Sequence, residues 1–167
     1  MAWISRTILT AASALALAAC SGGTAPTPEG SGDASAASES AGATPVQVVE
    51  KHVEAMKTGD LDKIMSDYAE DTVVITPPGL VSDQTPATGP GVFSGVVDAR
   101  RVFAAIVAPD GLDAVKAMET RTEAKGDDVA FLYWTQFKGQ PNEISGTDVF
   151  VVRDSKIVFQ DIILNAK

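Results

Sequence analysis

The stretch that most limits how this chain can fold is Gly146-Thr147-Asp148-Val149-Phe150-Val151-Val152-Arg153-Asp154-Ser155-Lys156-Ile157-Val158-Phe159-Gln160-Asp161. Two apolar, β-branched runs flank the two-residue connection Asp154-Ser155, which predicts a β-hairpin. Side chains of a strand alternate between faces, so Asp148 shares a surface with Phe150 and Val152, while Val149, Val151 and Arg153 share the other. Asp148 is therefore an acid on an apolar face. A carboxyl in that setting has its pKa raised by desolvation, which makes it the first candidate for proton chemistry.

The hairpin closes a longer run, Val115 to Ile163, that reads as four strands. Within it, Val115 to Ala124 alternates and predicts one wet face. Val129 to Phe137 is apolar on both faces, so something must cover each side. Helices are expected to cover one. A second copy of the chain is expected to cover the other.

Upstream, Thr44-Pro45-Val46-Gln47 combines an N-cap, Pro at the first helical position and a capping-box residue, and Gly59 suits the C-terminal cap of a helix ending at Thr58. His52, the only histidine of the chain, falls on the apolar face of this helix. It is either a hydrogen-bonded core residue or a pocket residue that exchanges a proton. Asp60 caps a second, shorter helix carrying Leu61, Ile64, Met65 and Tyr68, and Thr72 to Thr76 predicts a strand. After Pro77-Pro78-Gly79 a loop is expected to run to Gly95, followed by a third helix capped by Asp98.

The first 44 residues are of another kind. One basic residue, Arg6, precedes the small and apolar run Thr7 to Leu17, too short for a permanent membrane span and suited to a secretory signal. Leu17-Ala18-Ala19-Cys20 resembles the lipobox of bacterial lipoproteins, which implies a signal peptide over 1–19, cleavage before Cys20, and acyl chains on that residue. Cys20 is the only cysteine, so no intramolecular disulfide is available. Ser21 to Thr44 lacks aromatic and large aliphatic residues, so residues 20–44 read as a lipidated cysteine and disordered tether reaching about 25 to 30 Å. Ser21 in place of aspartate resembles the default for outer-membrane sorting in Gram-negative lipoproteins. The expected location is the cell envelope, lipid-anchored and facing the periplasm.

Residues 45–167 make the folded domain, with twelve basic against nineteen acidic side chains and a net charge of −7. An acidic domain repels phosphate backbones, so nucleic-acid partners are excluded. No metal-ligand cluster, nucleophile elbow or phosphate loop is present in the pattern, and neither a cofactor nor a metal is expected.

The order of elements, together with Thr58-Gly59-Asp60-Leu61-Asp62, Tyr68-Ala69-Glu70-Asp71, Pro77-Pro78-Gly79, Gly95 and the Asp148–Ile157 hairpin, resembles the SnoaL-like branch of the nuclear transport factor 2 superfamily. The resemblance implies an α+β fold: a conical half-barrel in which three N-terminal helices close a curved antiparallel sheet around an apolar pocket. It also implies frequent homodimers. The expected pocket contains Tyr68, Thr76, Tyr133, Trp134, Phe150 and Asp161, with His52 and Asp148 as a candidate acid-base pair. Ketosteroid-isomerase relatives place their base near the end of the first strand, where this chain has Thr76. Many SnoaL-like enzymes end the last strand with an aromatic or arginine followed by Asp, whereas Asp161 in Phe159-Gln160-Asp161-Ile162 is displaced by one residue. It faces either the pocket or solvent. The expected function is binding of a small apolar molecule or a periplasmic protein. The alternative is a cofactor-free isomerase, cyclase or dehydratase.

Overall fold

A computed structural model describes residues 42–83 and 89–166. Cys20, the signal peptide and nearly all of the tether lie outside the described residues, as does part of the long loop. Among the described residues, no helix is long and apolar enough to cross a membrane.

The chain enters the domain through α1 (Pro45–Thr58) and α2 (Leu61–Met65). Thr44 and Gln47 form the reciprocal capping box that their spacing suggests, and Gly59 ends α1 at φ 70°. Asp60 caps α2 by accepting from the N–H groups of Asp62 and Lys63. The interior face of α1 carries Val48, Val49, His52, Val53 and Met56, all buried. The spacing of these residues follows the 3.6-residue period, so one stripe meets the sheet and the charged stripe meets water.

Six strands follow, among the described residues: β1 (Tyr68–Thr76), β2 (Gly91–Ser94), β3 (Glu119–Lys125), β4 (Val129–Gln136), β5 (Ile144–Arg153) and β6 (Lys156–Leu164). Their order across the sheet is β2-β1-β6-β5-β4-β3. The β5–β6 hairpin turns at Asp154 and Ser155 with φ of 50° and 58°, the paired left-handed geometry of a two-residue turn. The sheet is open, curved and mixed. β1 pairs with β6 in parallel and with β2 antiparallel, which corrects the expectation of a purely antiparallel sheet. A connection that spans all the intervening elements allows the parallel pairing, since no short turn could.

Four boundaries differ from those read in the sequence. Tyr68, expected on the second helix, instead opens β1 four residues ahead of the expected start at Thr72, because α2 ends at Met65. Residues Gly91–Ser94, expected in a loop, form β2 and pair with Val73–Thr76. The segment expected to open a strand at Val115 is instead the end of a fourth helix, α4 (Pro109–Lys116), and β3 starts at Glu119. Pro109 in the first turn suits helix entry, and burial of the adjacent Ala114 and Val115 is helical rather than alternating. The third helix, α3 (Val96–Ile106), has Gly95 rather than Asp98 at its N-cap, and Asp98 sits in the first turn, where its charge complements the helix dipole.

The helices lie against one face of the sheet. There Phe103 of α3, Phe150 of β5, Ile157 of β6, Val74 of β1 and Val49 of α1 are fully buried. Truncating either phenylalanine to alanine would cost about 3 to 5 kcal/mol.

Candidate functional site

The inward faces of β4, β5 and β6 place Trp134, Asp148 and Gln160 side by side. On β5 the alternation sends Asp148, Phe150 and Val152 inward as the sequence suggests. On β6 a bulge intervenes: Val151 pairs with Phe159 but Val152 pairs with Ile157, so Val158 is the extra residue. An extra residue exchanges the faces beyond it. Gln160 therefore points inward opposite Phe150, and Asp161 points outward opposite Val149. This settles the face of Asp161 as the outer one, away from the cavity. Partial burial there still pushes its carboxyl up from the ordinary range.

These three residues sit at the floor of a cavity of about 410 Å³. Its walls are Phe103 and Ile106 of α3, Ala114 and Val115 of α4, and Leu132 and Ile162 of the sheet. Its mouth lies between Pro77–Leu80 after β1, Ile144 at the start of β5 and Leu164 at the end of β6. No lysine or arginine is among the described lining residues. α4, a helix the sequence reading does not contain, thus supplies one wall.

Trp134 reaches the floor because its cross-strand partner is Gly146. A Cβ at position 146 would collide with the six-membered part of the indole and with the backbone oxygen of Ile163. With no side chain there, the indole lies over β5 and donates its Nε1–H to Asp148 Oδ1 at 2.7 Å. The other carboxyl oxygen accepts from Gln160 Nε2 at 2.8 Å. Burial pushes the Asp148 carboxyl from 3.8 up to about 7, against the opposing pull of these two donors, with Asp161 adding repulsion. Without a cation nearby, desolvation wins over two hydrogen bonds.

Behind the cavity the polar chain continues. The Tyr68 hydroxyl donates to Gln160 Oε1 and lies 3.2 Å from His52 Nε2. His52 Nδ1 stands 4.0 Å from Asp67 Oδ2, and Asp67 Oδ1 accepts from Lys51 Nζ at 2.6 Å. His52 is fully buried, edge-on to Phe103 and Phe150 at 5.3 and 6.0 Å, and desolvation lowers its pKa to about 3. It is neutral at any ordinary pH.

The two proposed acid-base partners therefore do not touch: Tyr68 and Gln160 separate His52 from Asp148, and only Asp148 of the two lines the cavity. Trp134 lines it as well. Tyr68 and Phe150 are buried one layer deeper, and Thr76 is buried near the mouth end of β1. Tyr133 points to the outer face, where the Arg121 guanidinium stacks 4.2 Å from its ring centre. Tyr133 alternates with Trp134, so only one of the two can face inward. Gln160 and Asp67 were missed as site residues. The signal for Gln160 was present in the displaced Phe159-Gln160-Asp161 triplet, but its direction depends on the bulge at Val158.

The chain matches the SnoaL-like domain family over residues 49–160. Solved structures with the same fold include a protein from Sphaerobacter thermophilus, 13% identical with a TM-score of 0.54, covering 74% of this chain and 98% of that one. Another is a protein from Kribbella flavida DSM 17836, 16% identical with a TM-score of 0.52, covering 73% of this chain and 87% of that one. A third, an NTF-2-like protein from Burkholderia xenovorans LB400, is 15% identical with a TM-score of 0.50, covering 72% and 81%. No curated protein matches the sequence. At these identities the structures establish the fold and the family match establishes the lineage: the chain belongs to the SnoaL-like domain family, with the nuclear transport factor 2-like fold.

Proposed function

We propose that this domain binds a small, largely apolar molecule in the cavity between α3, α4 and the sheet, while a lipid on Cys20 holds it at the bacterial envelope. The observation that carries the reading is the cavity's make-up: apolar walls around about 410 Å³, with the Trp134–Asp148–Gln160 cluster as the polar feature of its floor. Ligand sites of this kind use apolar area for affinity and a few fixed polar groups for orientation. An apolar side chain of a periplasmic protein is the other occupant such a cavity fits.

Binding of the uncharged fluorophore N-phenyl-1-naphthylamine tests the reading. Fluorescence should rise saturably with the wild-type chain, and Ala114→Phe, which fills the cavity from α4, should abolish the rise while leaving the far-ultraviolet circular dichroism intact. Equal binding by a folded Ala114→Phe variant would place the probe elsewhere and remove the proposal.

One observation favours turnover as a second reading. A carboxyl poised near pH 7 at the floor of an apolar cavity is matched to general acid-base work. Asp148 would then move the proton of a cofactor-free isomerase, cyclase or dehydratase, with His52 held behind it through Tyr68 and Gln160. Solvent deuterium appearing next to the carbonyl of a bound ketone, and lost in Asp148→Asn, would support it. Its absence in the wild type would leave binding alone.

A further inference from the structure

Each hydrogen bond between the cavity and Asp67 has a direction, because every group in the chain holds a fixed supply of protons. When Asp148 is ionised its oxygens only accept, Oδ1 from the Trp134 indole and Oδ2 from a Gln160 N–H. Gln160 Oε1 then accepts the single hydroxyl proton of Tyr68. The Tyr68 oxygen must in turn accept from His52 Nε2, so the imidazole proton is on Nε2. That leaves Nδ1 bare and facing Asp67 Oδ2 at 4.0 Å, and both of these buried atoms lack a hydrogen-bond partner. Two buried acceptors facing each other is a costly arrangement, because each forgoes the bond it would make to water.

Protonation of Asp148 on Oδ2 removes the conflict if the chain reverses. The carboxyl O–H donates to Gln160 Oε1 after the amide turns over, a change of nearly unaltered shape because its O and N are similar in size. Gln160 Nε2 then donates to the Tyr68 oxygen, Tyr68 donates to His52 Nε2, and His52 donates from Nδ1 to Asp67 Oδ2. Each group along the chain now donates one hydrogen to the next, and both orphaned atoms gain a partner as the 4.0 Å between them closes to hydrogen-bond distance. The proton count closes: Asp148 gains one proton from solvent through the cavity, His52 keeps a single proton that leaves Nε2 to solvent and is replaced at Nδ1 from solvent during a transient local opening, and Tyr68 and Gln160 only turn.

We propose that Gln160 is a two-position positioning residue whose amide turnover transmits the protonation state of Asp148, through Tyr68, to the tautomer of His52 and so to Asp67. The surroundings leave few other routes. Asp148 meets Trp134 from β4 and Gln160 from β6, with Asp161 on the opposite face of β6 as the neighbouring charge. His52 meets Tyr68 from β1, Asp67 from the turn before it and the rings of Phe103 and Phe150. Lys51 holds the other oxygen of Asp67 in either state. α3 and α4 contribute no titratable side chain to the described cavity wall. This inference goes beyond the binding reading and needs no ligand, so it stands or falls separately.

His52 is the only histidine, so imidazole ¹⁵N NMR of the full chain, prepared without a histidine tag, reads one ring. The expected result is an Nε2–H tautomer at about pH 9 and an Nδ1–H tautomer at about pH 5, with no imidazolium signal, because burial keeps the ring neutral down to about 3. The midpoint should follow Asp148, near 7. Asp148→Asn supplies a permanent donor toward Gln160 and should show Nδ1–H at both pH values. Tyr68→Phe cuts the link and should make the tautomer independent of pH. One tautomer throughout in the wild type, or a Tyr68→Phe variant that still switches at the wild-type midpoint, overturns the proposal. Should Tyr68→Phe fail to fold, Asp148→Asn decides alone: an Nε2–H tautomer there at about pH 5 overturns it.

Discussion

The Trp134 indole donates to Asp148 Oδ1 at 2.7 Å, diagonally across the β4–β5 pair, over the vacant side of Gly146. A tryptophan, an acid and a glycine thus form one unit in which each residue is placed by the others. The indole keeps the carboxyl oriented, the glycine makes room for the indole, and burial under α3 and α4 keeps the carboxyl partly protonated near neutral pH. Four expected outcomes follow from this unit and from the segments around it.

The stability of the domain should depend on pH in two opposing ways. Asp148 has a folded pKa near 7, above its ordinary 3.8, so the folded state binds the extra proton and stability falls as pH rises across that window. His52 has a folded pKa near 3, below 6.5, so its contribution rises with pH up to about 6.5. In Asp148→Asn the first effect vanishes. Urea denaturation should then show a variant that loses stability more steeply than wild type between about pH 6 and 4, and that stays flat above pH 7, by a few kcal/mol at most. Parallel pH profiles for the two proteins would contradict the burial of an uncompensated carboxyl.

Gly146→Ala should displace Trp134 from the floor. The added methyl meets both the indole and the backbone of Ile163, and overpacking of this kind costs about 1 to 3 kcal/mol. With the indole moved, Asp148 loses a hydrogen bond that lowers its pKa, so the midpoint of its titration should rise. Tryptophan emission and the Asp148 carboxyl shift in ¹³C NMR check both parts. An unchanged carboxyl midpoint would show that Gly146 does not act through Trp134.

Cys20→Ala should abolish incorporation of a clickable fatty acid, because the expected acyl chains depend on that residue. Each buried methylene contributes about 0.8 kcal/mol to membrane affinity, so the unlipidated chain should appear in the soluble fraction or as an uncleaved precursor. Equal labelling of both proteins would rule out the anchor.

Homodimerisation through the outer face of the sheet is the remaining expectation. Phe131, Tyr133 and Val149 lie on that face half-buried, with Phe131 and Tyr133 ring centres 6.5 Å apart. The same patch on two copies would be self-complementary about a two-fold axis. Light scattering at micromolar concentration should report twice the monomer mass, and Phe131→Glu should halve it. A wild-type monomer at every concentration would show that the face needs no cover.

The local elements were legible in the sequence because their causes are local. Thr44 and Gln47 cap α1 by spacing alone, Asp154-Ser155 closes a two-residue hairpin, and alternation along β5 turns Asp148 inward with Phe150. His52 was legible as an inward-facing residue for the same reason, through the period of α1. What the sequence could not decide was parity and neighbourhood. One extra residue at Val158 turns Gln160 inward and Asp161 outward, and a bulge is set by how two strands pair, which neither strand states alone. The parallel partnership of β1 with β6 brings Tyr68 to Gln160, 92 positions away in the chain. Only the packed sheet could show that His52 and Asp148, each expected to face inward, are joined by three hydrogen bonds through Tyr68 and Gln160.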